Sequence, residues 1–392
     1  MRLLPVDYGV RNLGRSVLRL CLSVLGSALV VLLVLTAGGF VEGMNTGLRR
    51  SGDDRNVMVL GVGSEESLER SEIPASTAQL LGASVPGLRQ SAGVTFVSPE
   101  VHVQLPINAG ADANAGQLIM LRGVTPEALL VHSGAQIAEG RMPRPGQDEV
   151  LAGRLAHVKL HLPPQALAVG SKVKIESRTW TVVGRLAAPS SVMDAEIWMP
   201  LTDLKQLTKR ETDSCVVATL ADGPGAAEFA DVQAFCRQRL DLEITAMPES
   251  SYYARLAALF APVRVVAYAT AGLIALGGLF GGLNTMYAAF ASRVRELGML
   301  QCLGFRRSAI VVSLVLEASL ATASGAVIAA GVALGLLDGL AVQFSMGAFG
   351  LKIDAPVLAS GLIAGLLLGV IGAIPPAIRC LRPPIPETLK SL

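Results

Sequence analysis

The sequence is poor in charged and in aromatic residues. Of its 392 residues, only 16% are Asp, Glu, Lys or Arg, and only 4% are Phe, Trp or Tyr. Soluble globular proteins usually carry about 25% charged residues, so this composition argues against a soluble domain. Because aromatic residues are scarce and the large segment 41–262 is acidic, with 20 Lys and Arg against 25 Asp and Glu, no nucleic-acid partner is predicted.

Catalytic and metal-binding motifs are missing as well. The sequence has no Gly-Lys dipeptide and therefore no G-x-x-x-x-G-K-[ST] phosphate loop, so we expect no ATP hydrolysis by this chain. Neither a Ser/His/Asp set nor a catalytic pair of carboxylates stands out. His157 and His161 have an i, i+4 spacing, but no Cys or carboxylate nearby completes a metal site. The sequence therefore predicts no enzyme, no metal site and no cofactor in this chain.

The chain instead contains four long apolar segments. Residues 20–40 carry no charge and are long enough to cross about 30 Å of hydrocarbon. Three more apolar segments follow at 263–289, 310–337 and 357–377. A cleaved signal peptide is the alternative for the first segment, but its apolar run exceeds the roughly 7–15 residues of such peptides. We predict four transmembrane helices, one N-terminal and three C-terminal.

The placement of Lys and Arg predicts one orientation in the membrane. Residues 1–19 and 290–309 each carry four Arg against one acidic residue, and residues 378–392 carry three basic residues against one. Since basic loops stay in the cytoplasm, both termini and 290–309 are predicted to be cytoplasmic. The acidic segment 41–262 and the short loop 338–356 are then predicted to lie outside.

The N-terminal leader has a pattern of its own. Arg11, Arg15 and Arg19 recur every four residues, which places them on one face of a helix. We predict that residues 1–19 form a cytoplasmic amphipathic helix on the membrane surface, with lipids as its partners. The alternative is a simple basic anchor without a defined geometry.

The segment 41–262 is large enough to hold its own hydrophobic core. Strand patterns at 56–61, 94–105, 215–220 and 242–246 alternate with helical patterns at 75–81 and 226–240, as in two βαβ units. We predict a ferredoxin-like lobe from 41–116 and 213–262. Residues 117–212 contain short strands punctuated by glycine, and they predict a β-rich inserted lobe. The predicted fold class is a polytopic α-helical membrane protein with a large α/β domain of two lobes.

The basic segment 290–309 also has an apolar side. Leu297, Leu300 and Leu303 share one face of a predicted helix, which could dock into a partner's groove. The segment's arginines could bind acidic residues of that partner, hold lipid phosphates, or only keep the segment in the cytoplasm. Its candidate site residues are Arg293, Arg295, Glu296, Leu297, Leu300, Leu303, Gly304, Arg306 and Arg307.

Small and polar residues mark the predicted membrane helices. Glu317 lies about 15 Å from the cytoplasmic end of its helix, so it should find a polar partner or be protonated. Asn284 in the preceding helix is one candidate partner. Glycines four residues apart predict close helix packing, within the chain or across a dimer. These are Gly277, Gly278, Gly281, Gly282, Gly361, Gly365 and Gly369.

Two of the five cysteines fall in the segment predicted to lie outside. Cys215 is on a predicted strand and Cys236 on a predicted helix. An oxidising compartment permits a disulfide between them, while two free thiols remain the alternative.

Short motifs occur in a fixed order along nearly the whole chain. They are Tyr8, Arg11-Asn12-Leu13, Leu25-Gly26, Glu139-Gly140-Arg141, Gly146, Glu149-Val150, Gly170, Val182-Val183-Gly184, Trp198-Met199-Pro200, Asn284, Arg293, Arg295-Glu296-Leu297-Gly298, Leu303-Gly304, Glu317, Pro375 and Pro386-Glu387-Thr388-Leu389. In this order they resemble the FtsX/MacB-like permeases of ABC transporters. The resemblance implies a MacB-type periplasmic core domain in 41–262, an FtsX-like transmembrane domain and a bacterial inner membrane.

The resemblance also implies partners and a mechanism. Such permeases pair with a second copy or a paralogue and with cytoplasmic ATPase subunits, which bind ATP and Mg. Because only 19 residues precede the first apolar segment, a separate ATPase chain is expected. Residues 290–309 would be the coupling segment of a mechanotransmission transporter for a lipoprotein, lipid, peptide or drug. A periplasmic adaptor or substrate protein is a further possible partner. The alternatives are a transenvelope regulator of a periplasmic enzyme and a ligand-sensing receptor.

Overall fold

The structure, a computed structural model, describes residues 17–108, 116–344 and 347–384. Within them the chain forms two compact units. The helical unit comprises the described residues up to Glu42, then Pro262–Leu340 and the residues from Leu351 onward. The sheet unit comprises Gly43–Ala261 and Ala341–Gly350. The predicted leader up to residue 16 and the end of the predicted tail from residue 385 lie outside the described residues.

Helices and strands are mixed in the middle of the chain, and long helices lie near both of its ends. The helices are α1 (Val17–Ser51), α2 (Thr77–Ser84), α3 (Ala128–Val131), α4 (Ala156–Lys159), α5 (Leu201–Thr208), α6 (Phe229–Gln238), α7 (Glu249–Leu259), α8 (Ala261–Ala291), α9 (Val294–Cys302), α10 (Arg307–Val332) and α11 (Ala355–Cys380). The strands are β1 (Asn56–Gly61), β2 (Gln90–Ser91), β3 (Val94–Thr95), β4 (Val97–Asn108), β5 (Gln117–Val124), β6 (Gln136–Gly140), β7 (Glu149–Gly153), β8 (Lys172–Ile175), β9 (Arg178–Ala187), β10 (Ile197–Pro200), β11 (Cys215–Thr219), β12 (Ile244–Pro248), β13 (Ala341–Phe344) and β14 (Gly347–Gly350).

Within the described residues, four helices are long and apolar enough to cross a membrane, in the predicted order of one N-terminal and three C-terminal apolar helices. They are α1, α8, α10 with the π-helical turn Ala333–Leu337 that continues it, and α11. The predicted apolar segment of α1 ends at residue 40, but the helix runs on to Ser51. Arg49 and Arg50 in its last turn favour this extension, since cations stabilise the carbonyl end of a helix.

Glycines set how closely the helices of the helical unit pack. A Cβ added at Gly361 would lie 2.5 Å from Leu35, and one at Gly365 would lie 2.6 Å from Ala326. Gly369 faces Ser319 and Thr322 in the same way, and Gly278 faces Val30. The glycine series on α11 therefore packs within the chain. A Cβ added at Gly277, Gly281 or Gly282 on α8, in contrast, would contact no described atom within 4 Å beyond the backbone of its own helix.

The sheet unit is built on one ten-stranded sheet. Its first part is antiparallel, in the order β12-β1-β11-β4, with α2 and α6 as the crossover helices. This βαββαβ arrangement is the ferredoxin-like one. Side chains of β1 point alternately to the two faces of the sheet, and each face has its own hydrophobic core. Val57 and Val59 pack on the side of α6, and Met58 and Leu60 pack on the side of α7.

The second part of the sheet closes on itself. Strands β4, β5, β10, β7, β9 and β8 pair in turn, and β8 pairs back to β4. We call this six-stranded ring the barrel. Its interior is filled by apolar side chains such as Val101, Leu121, Trp180 and Ile197. The antiparallel part of the sheet and the barrel share one long strand, because β4 pairs with β11 through its first residues and with β5 through the rest.

The sheet unit decides one open alternative and adds structure to one predicted loop. Cys215 and Cys236 are both free, so the possible disulfide between them is not formed. The physical reason is their placement on opposite faces of the sheet, since Cys215 packs in the core beside α7 and Cys236 in the core beside α6. The predicted loop 338–356 also contains the hairpin β13–β14, whose Phe349 packs with Met44 and Leu48 in the sheet unit.

Candidate functional site

A short helix, α9, connects two of the long apolar helices. It ends in two hydrogen bonds, from the Phe305 N–H to the Leu300 carbonyl (3.2 Å) and from the Gly304 N–H to the Gln301 carbonyl (3.0 Å). This is the Schellman pattern, and it requires a left-handed residue, which Gly304 supplies with φ of +89°. The predicted residue Gly304 therefore has a structural role in ending the helix.

One face of α9 packs inside the helical unit. Leu297 is 1% exposed and lies among Phe290, Ile310 and Ala377, while the half-buried Leu300 packs against the same cluster. The prediction that Leu297 and Leu300 form an exposed docking face with Leu303 is therefore wrong. Sequence periodicity located an apolar face correctly, but α10 and α11 supply the core that buries it.

The opposite face of α9 is exposed. Arg295, Met299 and Leu303 follow each other every four residues, and Met299 and Leu303 are 48% and 72% exposed. Arg306 is exposed just beyond the helix. We call Arg295, Met299, Leu303 and Arg306 the exposed stripe. It places two apolar side chains between two cations.

Arg293 and Glu317 form an ion pair beside α9. Nη1 of Arg293 lies 3.0 Å from Oε1 and 3.1 Å from Oε2 of Glu317, and the two side chains are 11% and 16% exposed. Glu296 accepts a further bond from Nε of Arg293 at 3.3 Å. The suggested partner of Glu317, Asn284, is instead exposed on α8. Arg293 thus ties the start of α9 to α10.

A second cluster of polar residues is buried in the sheet unit. His102 on β4, Arg122 on β5 and Trp198 on β10 stand side by side across three paired strands. Their side chains leave the barrel on its outer side, where Trp198 packs with Ala128 of α3 and with Ala135. We call the following set the buried polar network: Asn56, Glu100, His102, Arg122, His132, Glu196, Trp198 and Glu249, all at most 5% exposed.

Hydrogen bonds and one longer ion-pair contact connect the network from end to end. Glu249 accepts from Nδ2 of Asn56 (2.8 Å), and its other oxygen lies 3.5 Å from Nδ1 of His132. Nε2 of His132 lies 2.7 Å from Glu100, which also pairs with Nη1 of Arg122 at 2.7 Å. Arg122 donates two further bonds to Glu196, of 2.7 and 2.9 Å. The Trp198 indole donates to Glu196 at 3.1 Å.

The charges of the network shift one another's pKa values. Burial opposes ionisation of Glu100, but the cations His132 and Arg122 outweigh it and hold the pKa of that carboxyl well below 4.5. Burial likewise opposes the charged form of His132, yet the Glu100 carboxylate raises its pKa above 6.5. For Glu249 burial dominates and raises the pKa above 4.5, and for His102 burial lowers the pKa below 6.5.

Three residues at the network's edge have the side chains of a metal site. One ligand atom each of Glu100, His102 and Cys215 lies within 4.8 Å of the others. However, Glu100 already accepts bonds from Ser98, His102, His132 and Arg122. A cation there would also face the buried guanidinium of Arg122, so the donor set favours a structural role.

Sequence reasoning missed the buried polar network. Its members are far apart in the chain and sit at alternate positions of strands, where a polar residue is typical of a solvated face. The one available signal was a charged residue inside an apolar strand, as with Arg122 in LIMLRGV.

The network makes stability dependent on pH. Because the folded pKa of His132 is raised above 6.5, its contribution is complete below that value and is lost as pH rises through the folded pKa. His102, with its lowered pKa, acts in the opposite direction only below 6.5. We therefore expect the unfolding free energy of the full chain in nanodiscs to fall as the pH rises above about 6.5, by at most about 1.4 kcal/mol per pH unit, with a parallel fall in Tm. A His132→Gln chain should lose this fall; an equal fall in the variant would assign it to other groups.

Two family models match the chain. A MacB-like periplasmic core domain matches residues 20–232, and an FtsX-like permease C-terminal domain matches residues 268–385. No curated protein matches significantly.

Among solved structures, the periplasmic region of MacB from Actinobacillus actinomycetemcomitans is 14% identical. That match covers 53% of this chain and 94% of the other, with a TM-score of 0.39. The extracellular domain of the noncanonic ABC-type transporter YknZ from Gram-positive bacteria is 16% identical over 49% of this chain and 99% of the other, with a TM-score of 0.36. At these scores neither structure carries an argument about function.

Proposed function

Because this chain belongs to the family of permeases that join a MacB-like periplasmic core domain to an FtsX-like C-terminal domain, we propose that it works by mechanotransmission. In this proposal a separate cytoplasmic ATPase binds ATP and Mg, and the permease converts the closure of that ATPase into movement of the sheet unit. The movement exports or extracts a substrate such as a lipoprotein, lipid, peptide or drug. The exposed stripe on α9 is the observation that carries this proposal.

The exposed stripe has the chemistry of a small docking surface. Met299 and Leu303 offer apolar area at its centre, and Arg295 and Arg306 offer charge at its rim. Interfaces commonly combine an apolar centre with a polar rim. The stripe therefore fits an ATPase groove with apolar walls and acidic edges. Since Leu297 and Leu300 anchor the other face of α9, a push on the stripe acts on α10 and α11 through the packed core.

The proposed orientation follows from charge. In a bacterial inner membrane, the basic segment that contains α9 would face the cytoplasm, as would both termini. The acidic sheet unit would lie in the periplasm. Arg306 and Arg307 are both exposed at the start of α10, where lipid phosphates are also within reach.

A second permease chain is proposed to cover one side of α8. Gly277, Gly281 and Asn284 follow each other on one face of this helix, and all three are exposed. Two glycines four residues apart let a neighbouring helix approach closely, and an Asn can hydrogen-bond across such a contact. The partner would be a second copy or a paralogue of this chain.

The exposed stripe gives the test of the proposed function. We expect Leu303→Asp to lower ATP turnover at least about tenfold, because a carboxylate in an apolar contact loses more than about 1.4 kcal/mol of binding. The measurement is vanadate-sensitive ATP hydrolysis per mole of the full chain, purified from its native membranes with its associated ATPase.

Two variants control this experiment. Leu240→Asp places the same carboxylate at another exposed leucine, in the sheet unit, and should leave turnover unchanged. Leu297→Ala truncates the buried face and should lower Tm, whereas Leu303→Asp should not. Recovery of no ATPase with the wild-type chain, or unchanged turnover in Leu303→Asp, would overturn the proposal.

A further inference from the structure

The end of α1 and the start of α7, both within the sheet unit, meet at one point. Gly52 follows α1 directly and lies over the first turn of α7, since a Cβ added there would be 2.8 Å from the Cα and 2.9 Å from the N of Ser250. The Asp53 N–H donates to Glu249, the first residue of α7, at 3.0 Å. Ser51, the last residue of α1, accepts a bond from the Val192 N–H at 2.9 Å. The end of α1 and the start of α7 are thus held together at the base of the network.

From that point the buried polar network leads to the barrel through five successive contacts. The first, between Glu249 and His132, is an ion-pair contact of 3.5 Å, and the other four are hydrogen bonds of 2.7 to 3.1 Å. The order of contact is Glu249, His132, Glu100, Arg122, Glu196 and Trp198. It passes from α7 through the turn after α3 to β4, β5 and β10 in succession. Glu100 occupies the place where β4 leaves its pairing with β11 and begins its pairing with β5.

Burial of so many ionisable groups is a costly way to stabilise a domain. Replacing buried ion pairs by apolar residues of similar volume is often neutral or stabilising. Hydrogen bonds between ions are directional, whereas apolar contacts are not. Each such bond restricts the angle of its partner as well as the distance to it. A continuous row of such contacts is suited to fixing one element against another.

We propose that the buried polar network is a positioning device that fixes the barrel against the ends of α1 and α7, so that displacement of these helix ends is passed to β10. Glu249 and His132 are the positioning residues at the helix end of this link. That the network transmits motion rests on the proposed function. That it fixes the barrel against the ends of α1 and α7 does not.

The link is tested first from the helix end. Glu249→Gln keeps an oxygen for the Asp53 N–H and Asn56, but it turns an amide toward Nδ1 of His132 in place of a carboxylate oxygen. In the full chain in nanodiscs without ATPase, we expect amide hydrogen exchange in β10 to rise at least about fivefold, the lower end of typical coupling between sites. Glu228→Gln, at the exposed start of α6, is the matched control and should leave β10 unchanged.

Coupling between sites is reciprocal, which gives a second test from the barrel end. Trp198→Phe removes the indole donor to Glu196 and should raise exchange in the first turn of α7 by a similar factor. Trp180→Phe removes the same group from a tryptophan buried in the barrel, whose Nε1 has no partner in the described part of the chain. This control should leave α7 unchanged.

The outcomes separate the link from its use. Increases confined to the immediate neighbours of each substitution, with β10 and α7 unchanged, would overturn the positioning role and leave a local structural one. Increases at both distant ends support it even if no ATPase associates with the chain. Where an ATPase does associate, ATP turnover in Glu249→Gln at unchanged Tm should fall at least about fivefold.

Discussion

Replacing Arg122 by Leu is expected to destabilise the sheet unit more than any other single substitution at the buried polar network. The guanidinium of Arg122 pairs with both Glu100 and Glu196, and all three residues are at most 5% exposed. Without it, two carboxylates remain buried close together with no cation between them. Breaking a buried ion pair from one side costs about 3–5 kcal/mol of unfolding free energy, a large part of the stability of a domain.

The surface of the same unit offers a matched control. Arg141 also pairs with one glutamate through two nitrogens, at 2.6 and 2.5 Å, but it is exposed to solvent. Arg141→Leu should therefore change stability little, because water screens and replaces such a pair. Both variants are measured as full chains by urea unfolding, followed by tryptophan fluorescence. Equal unfolding free energies of Arg122→Leu and Arg141→Leu would show that burial of Glu100 and Glu196 does not depend on the Arg122 cation.

The second large effect is expected in the helical unit, at Gly325. A Cβ at this position of α10 would collide with Ser27 Oγ and the Val24 carbonyl oxygen, and it would lie 3.0 Å from the Ala28 N of α1. A side chain can relieve such a clash by changing its rotamer, but backbone atoms cannot. The helices α1 and α10 would therefore have to separate. We expect Gly325→Leu to cost about 3 kcal/mol, in the upper range for overpacked sites.

Gly331 on the same helix is the control for this substitution. No atom among the described residues lies within 4 Å of a Cβ placed there. Since Leu is the better helix former by about 1 kcal/mol, Gly331→Leu should leave Tm unchanged or raise it. Thermal unfolding of both full-length variants in detergent checks the pair. A drop in Tm of the same size in both would mean that a leucine at either site on α10 is destabilising, and that the crossing at Gly325 has no special role.

Gly325 also shows what sequence patterns can and cannot locate. The four apolar helices, the large α/β domain and the family resemblance follow from composition, alternation and ordered motifs, and they are confirmed. The regular glycine spacing on α11 drew attention to Gly361, Gly365 and Gly369, which do pack closely. Gly325 has no such spacing, and its close approach to α1 depends on where two helices cross. A crossing point is a property of the assembled unit.

The same limit explains the error on α9 and why the pairing of the cysteines stayed open. Periodicity identifies which residues share a face, but not whether that face meets a partner or the chain's own core, as Leu297 illustrates. Cys215 and Cys236 are adjacent in the predicted order of elements, yet a sheet separates them. The buried polar network could not be predicted because it is assembled from six separate stretches of chain, each of which resembles a solvated strand or turn.

The hairpin β13–β14 determines the order in which the protein can be completed during synthesis. Phe349 fills a place beside Met44 and Leu48, and a Cβ at Gly47 would lie 2.6 Å from its ring. At about 5–20 residues per second, the ribosome reaches this phenylalanine well after residues 43–261 have been made. Until then the newly made sheet unit has an apolar gap beside α1. Its final packing therefore waits for α8 and α10 to be translated, and a fragment that ends after α7 would keep that gap open.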